Sequence, residues 1–161
     1  MSISLSGTEL INIAIDIEKR GIAFYDIMAT SSENEATRDV FVYLTKMERE
    51  HVEIFQGMLD EAKKYHLPEA YTKENASYLQ ALVDSTAFTD DMVISEMATQ
   101  ADSDIKALEL AIYAEKDSIL FYYEMKDMIP PRAKATMERI INEEKSHLRD
   151  LSELKKQLAH P

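Results

Sequence analysis

The sequence predicts an all-α protein: a four-helix bundle of two antiparallel helical hairpins joined by one long crossover. Three observations predict it. Apolar residues recur at i, i+3, i+4 and i+7 over long stretches, the mark of helices with one buried face. Only three Gly and four Pro occur among 161 residues, too few turn-formers for a sandwich or barrel of many short strands. Prolines and capping residues fall at the seams between the periodic stretches, leaving two long helices on either side of a polar, mixed segment.

Each element has its own warrant. Ile11, Ala14, Ile15, Ile22 and Tyr25 share a stripe and predict a first helix over about residues 6–30. Ser32, with Glu35 three residues on, reads as a capping box opening a second helix. That helix turns Val40, Phe41, Leu44, Phe55 and Leu59 inward, runs to about Tyr65 and is stopped by Pro68. Residues 68–102 predict the crossover, with short helices over Glu74–Val83 and Asp90–Ala98. Ser103 caps a third helix running to about Met128. Pro130 and Pro131 break the chain, and Pro131 suits the first turn of a fourth helix ending near Leu158. Two hairpins with a single long connection are the ferritin-like arrangement of a four-helix bundle. The whole length reads as a single domain.

Composition removes several functions. Hydrophobic residues make up 45% and charged residues 30%, enough apolar material for a core and against disorder. The net charge of −12 argues against a nucleic-acid partner, which a basic face would recognise. No run of 18 apolar residues occurs, so no membrane partner is expected. The start, MSISLSGTEL, lacks the basic and apolar regions of a secretory signal, which makes the cytoplasm the default expectation. There is no Cys, which excludes disulfides, a thiol nucleophile, iron–sulfur clusters and cysteinyl zinc sites.

The chain repeats itself. AIDIEKRGIAFY at 14–25 matches AIYAEKDSILFY at 111–122 at seven of twelve positions, and Glu48-Arg49-Glu50-His51 corresponds to Glu144-Lys145-Ser146-His147. Amphipathic helices share apolar positions for trivial reasons. They do not share a Glu inside the apolar stripe unless something requires it.

Four carboxylates sit where a core is expected. Glu18 lies among Ile11, Ala14, Ile15, Ile22 and Tyr25, and Glu115 among Leu108, Ala111, Ile112, Ile119 and Tyr122. Glu48 lies among Phe41, Leu44, Val52 and Phe55, and Glu144 among Met137, Ile140, Ile141, Leu148 and Leu151. An unpaired ionised carboxylate in such a place costs several kcal/mol. Glu48 and Glu144 each have a His three residues on, His51 and His147, on the same helical face. Glu-x-x-His on two helices and a lone Glu on each of the others is the ligand set of di-iron and di-manganese carboxylate bundles. Four Glu supply −4 and two divalent ions supply +4. The heights agree too. Each of the four Glu lies about 12–15 residues from its hairpin turn, roughly 20 Å along the helix. Metal ligation by Glu18, Glu48, His51, Glu115, Glu144 and His147 is the expectation. Carboxylate and imidazole ligands suit iron and manganese alike.

With these residues in hand, residues 8–155 resemble the rubrerythrin-like branch of the ferritin-like superfamily, in a form without a rubredoxin domain. The carriers are Glu18 in IEKRGIAFY, Glu48 and His51 in MEREH, Glu115 in AEKDSILFYYEMKD, and Glu144 and His147 in EEKSH. The resemblance implies a non-haem centre of two iron ions, often a homodimer, and redox chemistry with hydrogen peroxide or oxygen. In such a centre Glu48 and Glu144 would bridge the ions, Glu18 and Glu115 would be single-helix ligands, and each His would cap one ion. Two departures stand out. With no Cys, a cysteine-ligated electron-transfer centre is lacking, so a separate electron donor is expected. Classical rubrerythrins carry a further Glu three residues after the third-helix ligand, where this chain has Ser118, matched by Gly21 in the first helix. The remaining ligand set equals that of bacterioferritin, but Arg49 or Lys145 follows each motif Glu in place of the Met that holds haem there. The reading is thus a non-haem di-iron oxidoreductase reducing peroxide or oxygen with an external donor. A ferroxidase-like iron-handling protein and an interaction module with a vestigial site are the alternatives.

The remaining candidates have plainer readings. Tyr25 and Tyr122, two turns past Glu18 and Glu115, read as core aromatics with satisfied hydroxyls, placed where they could also hydrogen-bond a ligand. Gly21 and Ser118 leave small side chains near the ligands. Glu50, Glu53 and Glu143 read as solvent or rim residues, with Glu143 also placed to support a ligand. His66 and His160 sit near helix ends, where a cation favours the dipole. The nine Met are core and helix residues rather than copper ligands.

Overall fold

A computed structural model describes residues 6–64, 73–86 and 103–161. These contain α1 (Gly7–Ser31), α2 (Glu35–Lys64), α3 (Lys73–Asp84), α4 (Asp104–Lys126) and α5 (Lys134–Ala159), with a 3-10 turn over Pro131–Ala133 leading into α5. No strand occurs among the described residues. The fold is an all-α, ferritin-like helical bundle. The helices α1 and α2 pack as one hairpin and α4 and α5 as the other, with α1 against α4 and α2 against α5. The expected short helix at 74–83 is α3, while the one expected over 90–98 and the stop at Pro68 lie outside the described residues.

The ends of the helices explain the boundaries. Ser6 opens α1 with a full capping box: its hydroxyl accepts the Glu9 N–H at 3.2 Å, and the Ser6 N–H reaches back to Glu9 Oε2 at 2.6 Å. Ser32 does not open α2, contrary to the sequence reading. It closes α1 instead, donating its N–H to Met28 O at 3.0 Å. The cap of α2 is Asn34, whose Oδ1 accepts the Thr37 N–H at 3.1 Å. Three residues of turn separate the helices, so the chain needs one residue to finish α1 and another to begin α2. Asp104 completes the junction from the far side of the bundle, accepting the N–H groups of Glu33 and Asn34 at 3.1 and 2.7 Å. Ser103 caps α4 as expected, its hydroxyl accepting the Lys106 N–H at 3.2 Å. Pro131 begins the 3-10 turn, and α5 proper starts three residues later.

The core comes in two blocks. One, around Leu10, Ile11, Ile15, Phe55, Leu59, Phe121, Met125 and Ile140, fills the end of the bundle near the α4–α5 turn. Leu79 of α3 is fully buried in it. The other, around Phe24, Met28, Phe41, Leu44, Leu108, Ala111 and Leu151, fills the end near the α1–α2 turn. Along every long helix the two blocks are separated by one stretch, and in that stretch lie the four Glu and two His.

Candidate metal centre

The polar stretch forms a buried layer between two apolar plugs. Glu18, Glu48, His51, Glu115, Glu144 and His147 are all at most 3% exposed. Helix register puts them there: each is an inward position of its own stripe, and the antiparallel pairing brings the four heights together. Two overlapping groups result, Glu18, Glu48, His51 and Glu144 in one and Glu48, Glu115, Glu144 and His147 in the other. Within each, one potential ligand atom per residue lies within 4.8 Å of the others. Glu48 and Glu144 belong to both. The imidazoles face each other across the layer with centroids 6.0 Å apart.

The donor atoms of the layer lie close to one another. His51 Nδ1 lies 3.0 Å from Glu48 Oε2, 2.8 Å from Glu144 Oε1 and 3.6 Å from Glu18 Oε1. His147 Nδ1 lies 3.4 Å from Glu48 Oε1 and 3.7 Å from both Glu115 Oε2 and Glu144 Oε2. Glu48 Oε1, Glu115 Oε2, Glu144 Oε1 and both ring nitrogens of His147 are buried and, despite these short approaches, make no well-aligned hydrogen bond among the described residues. Each unmet group costs about 1–3 kcal/mol. All but His147 Nε2 face other members of the layer, where divalent cations would satisfy them together. The donor set of carboxylate oxygens and imidazole nitrogens fits iron or manganese.

A family model for rubrerythrin matches residues 9–155. The chain belongs to the rubrerythrin family. Comparison with curated proteins and with solved structures gives no significant match. Rubrerythrins are di-iron carboxylate proteins, and the buried Glu/His layer is of the kind that a metal-binding member needs.

Around the layer of this rubrerythrin-family chain a second set of side chains holds the first. Tyr25 Oη donates to Glu115 Oε1 at 2.7 Å, and Tyr122 Oη donates to Glu18 Oε1. Each tyrosine thus reaches across to the lone Glu of the opposite helix, and the repeat seen in the sequence becomes a near two-fold arrangement. Both hydroxyls are pushed up from their ordinary pKa, by burial first and then by the carboxylates beside them, so they remain donors. Glu143 Oε2 lies 2.8 Å from His51 Nε2 and so contacts the layer from the rim. Glu50 and Glu53 are exposed, as expected.

The electrostatics follow from burial. Desolvation, then the charges of Glu48 and Glu144, pushes the Glu18 carboxyl well up. Desolvation, then Glu144, does the same to Glu115. Burial also opposes the charges on Glu48 and Glu144, but hydrogen bonds from neighbouring carboxyl and imidazole groups outweigh it and hold both below the usual carboxylate value. Burial opposes charging of both imidazoles, yet the carboxylates beside them raise His51 and His147 far above the usual 6.5. Without metal the layer is therefore neutral: two carboxylates, two imidazolium ions and two protonated carboxyls.

A narrow cavity reaches the layer between α1 and α4. Gly21, Ser118, Ile17, Ala114 and Thr86 line it, and Glu18, Glu48 and Glu115 form its floor. Its volume of about 20 Å³ admits a water-sized molecule. The small side chains at 21 and 118 make this opening. Two contributors were not singled out in the sequence. Thr86 comes from beyond α3, and Asp104 acts on a turn 70 residues away. Neither leaves a local pattern to read.

Proposed function

We propose that this chain is a non-haem di-iron oxidoreductase that reduces hydrogen peroxide or oxygen with electrons from an external donor. The observation that carries the reading is the pair of overlapping buried groups sharing Glu48 and Glu144. In this reading Glu48 and Glu144 would be shared by two ion positions, with Glu18 and His51 completing one and Glu115 and His147 the other. Two bound ferrous ions would supply the two electrons that, with two protons from solvent, turn one hydrogen peroxide into two waters.

The chain's own residues do the rest. Tyr25 and Tyr122 hold the two single-helix carboxylates in place by hydrogen bonds from across the bundle. The apolar blocks above and below close the layer to bulk water, which strengthens each electrostatic contact inside it. The cavity past Gly21 and Ser118 selects by size and passes a molecule no larger than a few atoms. That size is what supports peroxide or oxygen as the oxidant. The 161 residues contain no Cys, so the electrons come from a donor outside them.

The test is anaerobic ferrous loading followed by desalting, metal analysis and addition of peroxide. Two irons per chain, peroxide consumed over many turnovers with a reductant, and loss of both in Glu115→Ala support the proposal. A ferroxidase-like iron-handling role is the second reading, and Ser118 in place of the further Glu favours it. Iron uptake beyond two per chain without reductant turnover would establish that role instead.

A further inference from the structure

We propose that the two metal positions are unequal, and that Glu143 is the positioning residue that makes the His51 position the tighter one. This rests on the metal-binding reading above and adds an order of filling to it. The internal repeat relates α2 to α5 at an offset that pairs Glu48 with Glu144 and His51 with His147. The same offset pairs Met47 with Glu143. The repeat is broken behind the histidines, and the break has a structural consequence.

On one side, Glu143 Oε2 lies 2.8 Å from His51 Nε2. Arg139 Nε stands 3.8 Å from the other oxygen of that carboxylate. The Nε2–H donates to Glu143, so the proton that a metal ion would displace is the one on Nδ1, which faces Glu48 and Glu144. A carboxylate accepting from the far nitrogen also makes the near nitrogen a stronger ligand. On the other side, His147 Nε2 is buried with no hydrogen-bond partner among the described residues. Tyr43 meets the His147 ring edge-on at 5.9 Å. Met47, which lines the same groove as His147, occupies the position that Glu143 occupies for His51, and a thioether accepts hydrogen bonds only weakly. His147 therefore has neither an anchored Nε2–H nor the added basicity. The ion it holds binds second and leaves first. Loss of such an outer partner typically costs about 10–100-fold in metal affinity.

The test is an anaerobic calorimetric titration of the metal-free protein with ferrous ion. Sharing Glu48 and Glu144 separates the two binding steps in any such site, so the assignment rests on which step each variant moves. Glu143→Gln is expected to weaken the tight step about 10–100-fold and to leave the weak one in place. Met47→Glu, at a half-buried rim position, is expected to tighten the weak step, and it reports even where Glu143→Gln fails to fold. His147→Ala is expected to keep one ion at close to the original tight affinity. A Glu143→Gln protein in which both steps move alike or neither moves overturns the inequality, as does a His147→Ala protein that loses the tight step. A wild-type protein that binds no ferrous ion overturns the metal reading itself, an outcome distinct from two ions bound with Glu143 inert.

Discussion

Glu115 shows how a single side chain can be read as ligand or as structure. Burial, then Glu144, pushes its carboxyl up, so it carries a proton in the metal-free layer. Gln is nearly isosteric with a protonated Glu and equally neutral. Glu115→Gln is therefore expected to leave the metal-free protein within about 1 kcal/mol of wild type in denaturant unfolding. The same variant should lose the rise in melting temperature that ferrous or manganous ion gives the wild type. A large loss of metal-free stability would mark Glu115 as a structural residue instead. The tyrosines act one step further out. Tyr122→Phe removes the donor to Glu18 and is expected to weaken metal binding about tenfold, read by competition with a chelator. Unchanged affinity would leave Tyr122 as a core aromatic with a satisfied hydroxyl.

At the scale of the element, the turn between α1 and α2 has the most to teach. Ser32 closes α1 and Asn34 caps α2, and side chains from outside the turn satisfy its remaining backbone groups. Arg38 donates to the Ser32 and Glu33 carbonyls at 3.1 and 2.8 Å, and Asp104 accepts from Glu33 and Asn34. Asp104, in the first turn of α4, thus joins one hairpin to the other. Asp104→Ala is expected to cost about 1–2 kcal/mol. For a chain of this size that is a fall in thermal midpoint of roughly 3–8 °C, measured by circular dichroism. A midpoint within a degree of wild type would show that water replaces the carboxylate without loss. The α1–α4 opening also belongs here. A Cβ on Gly21 would meet only Tyr25 Cε2, at the ordinary contact distance of 3.7 Å, so Gly21→Ala should fold normally. Ser118→Leu, with a longer side chain in the cavity, is expected to retain its metal and lower kcat/KM for peroxide. Unchanged turnover would place the entry route elsewhere.

For the whole molecule the layer behaves as one electrostatic unit. Without metal it holds protons on Glu18, Glu115, His51 and His147, and each of these groups sits above its unfolded pKa. A raised folded pKa gives stability that is complete below the unfolded value and is lost as pH rises. The metal-free protein is therefore expected to weaken above about pH 4.5 through the two Glu and above about 6.5 through the two His. The opposite holds for the bound form, whose ligands must be deprotonated. Exchange of these protons for two divalent ions keeps the layer neutral, so loading should release about four protons per pair of ions. Calorimetry in buffers of different ionisation enthalpy counts them. Metal-induced stabilisation should accordingly grow from pH 6 to pH 8, and a flat profile would contradict the assigned protonation.

Much of this was legible in the sequence because its causes are local and periodic. Helical spacing placed Glu18, Glu48, Glu115 and Glu144 on inward stripes, and distance from the turns gave their common height. The repeat at 14–25 and 111–122 relates the two hairpins in the sequence itself. What only the tertiary structure decided depends on where separate helices meet. Asn34 rather than Ser32 caps α2, and Asp104 of α4 holds the turn between them. The hydroxyls of Tyr25 and Tyr122 found the Glu of the opposite helix rather than of their own. Glu143, a rim residue by periodicity, came to stand behind His51 while Met47 stood at the matching place for His147. The sequence by itself determined which side chains face the core, since that follows from 3.6 residues per turn. The structure alone decided which of them touch, since that depends on the rotation and separation of four helices packed together.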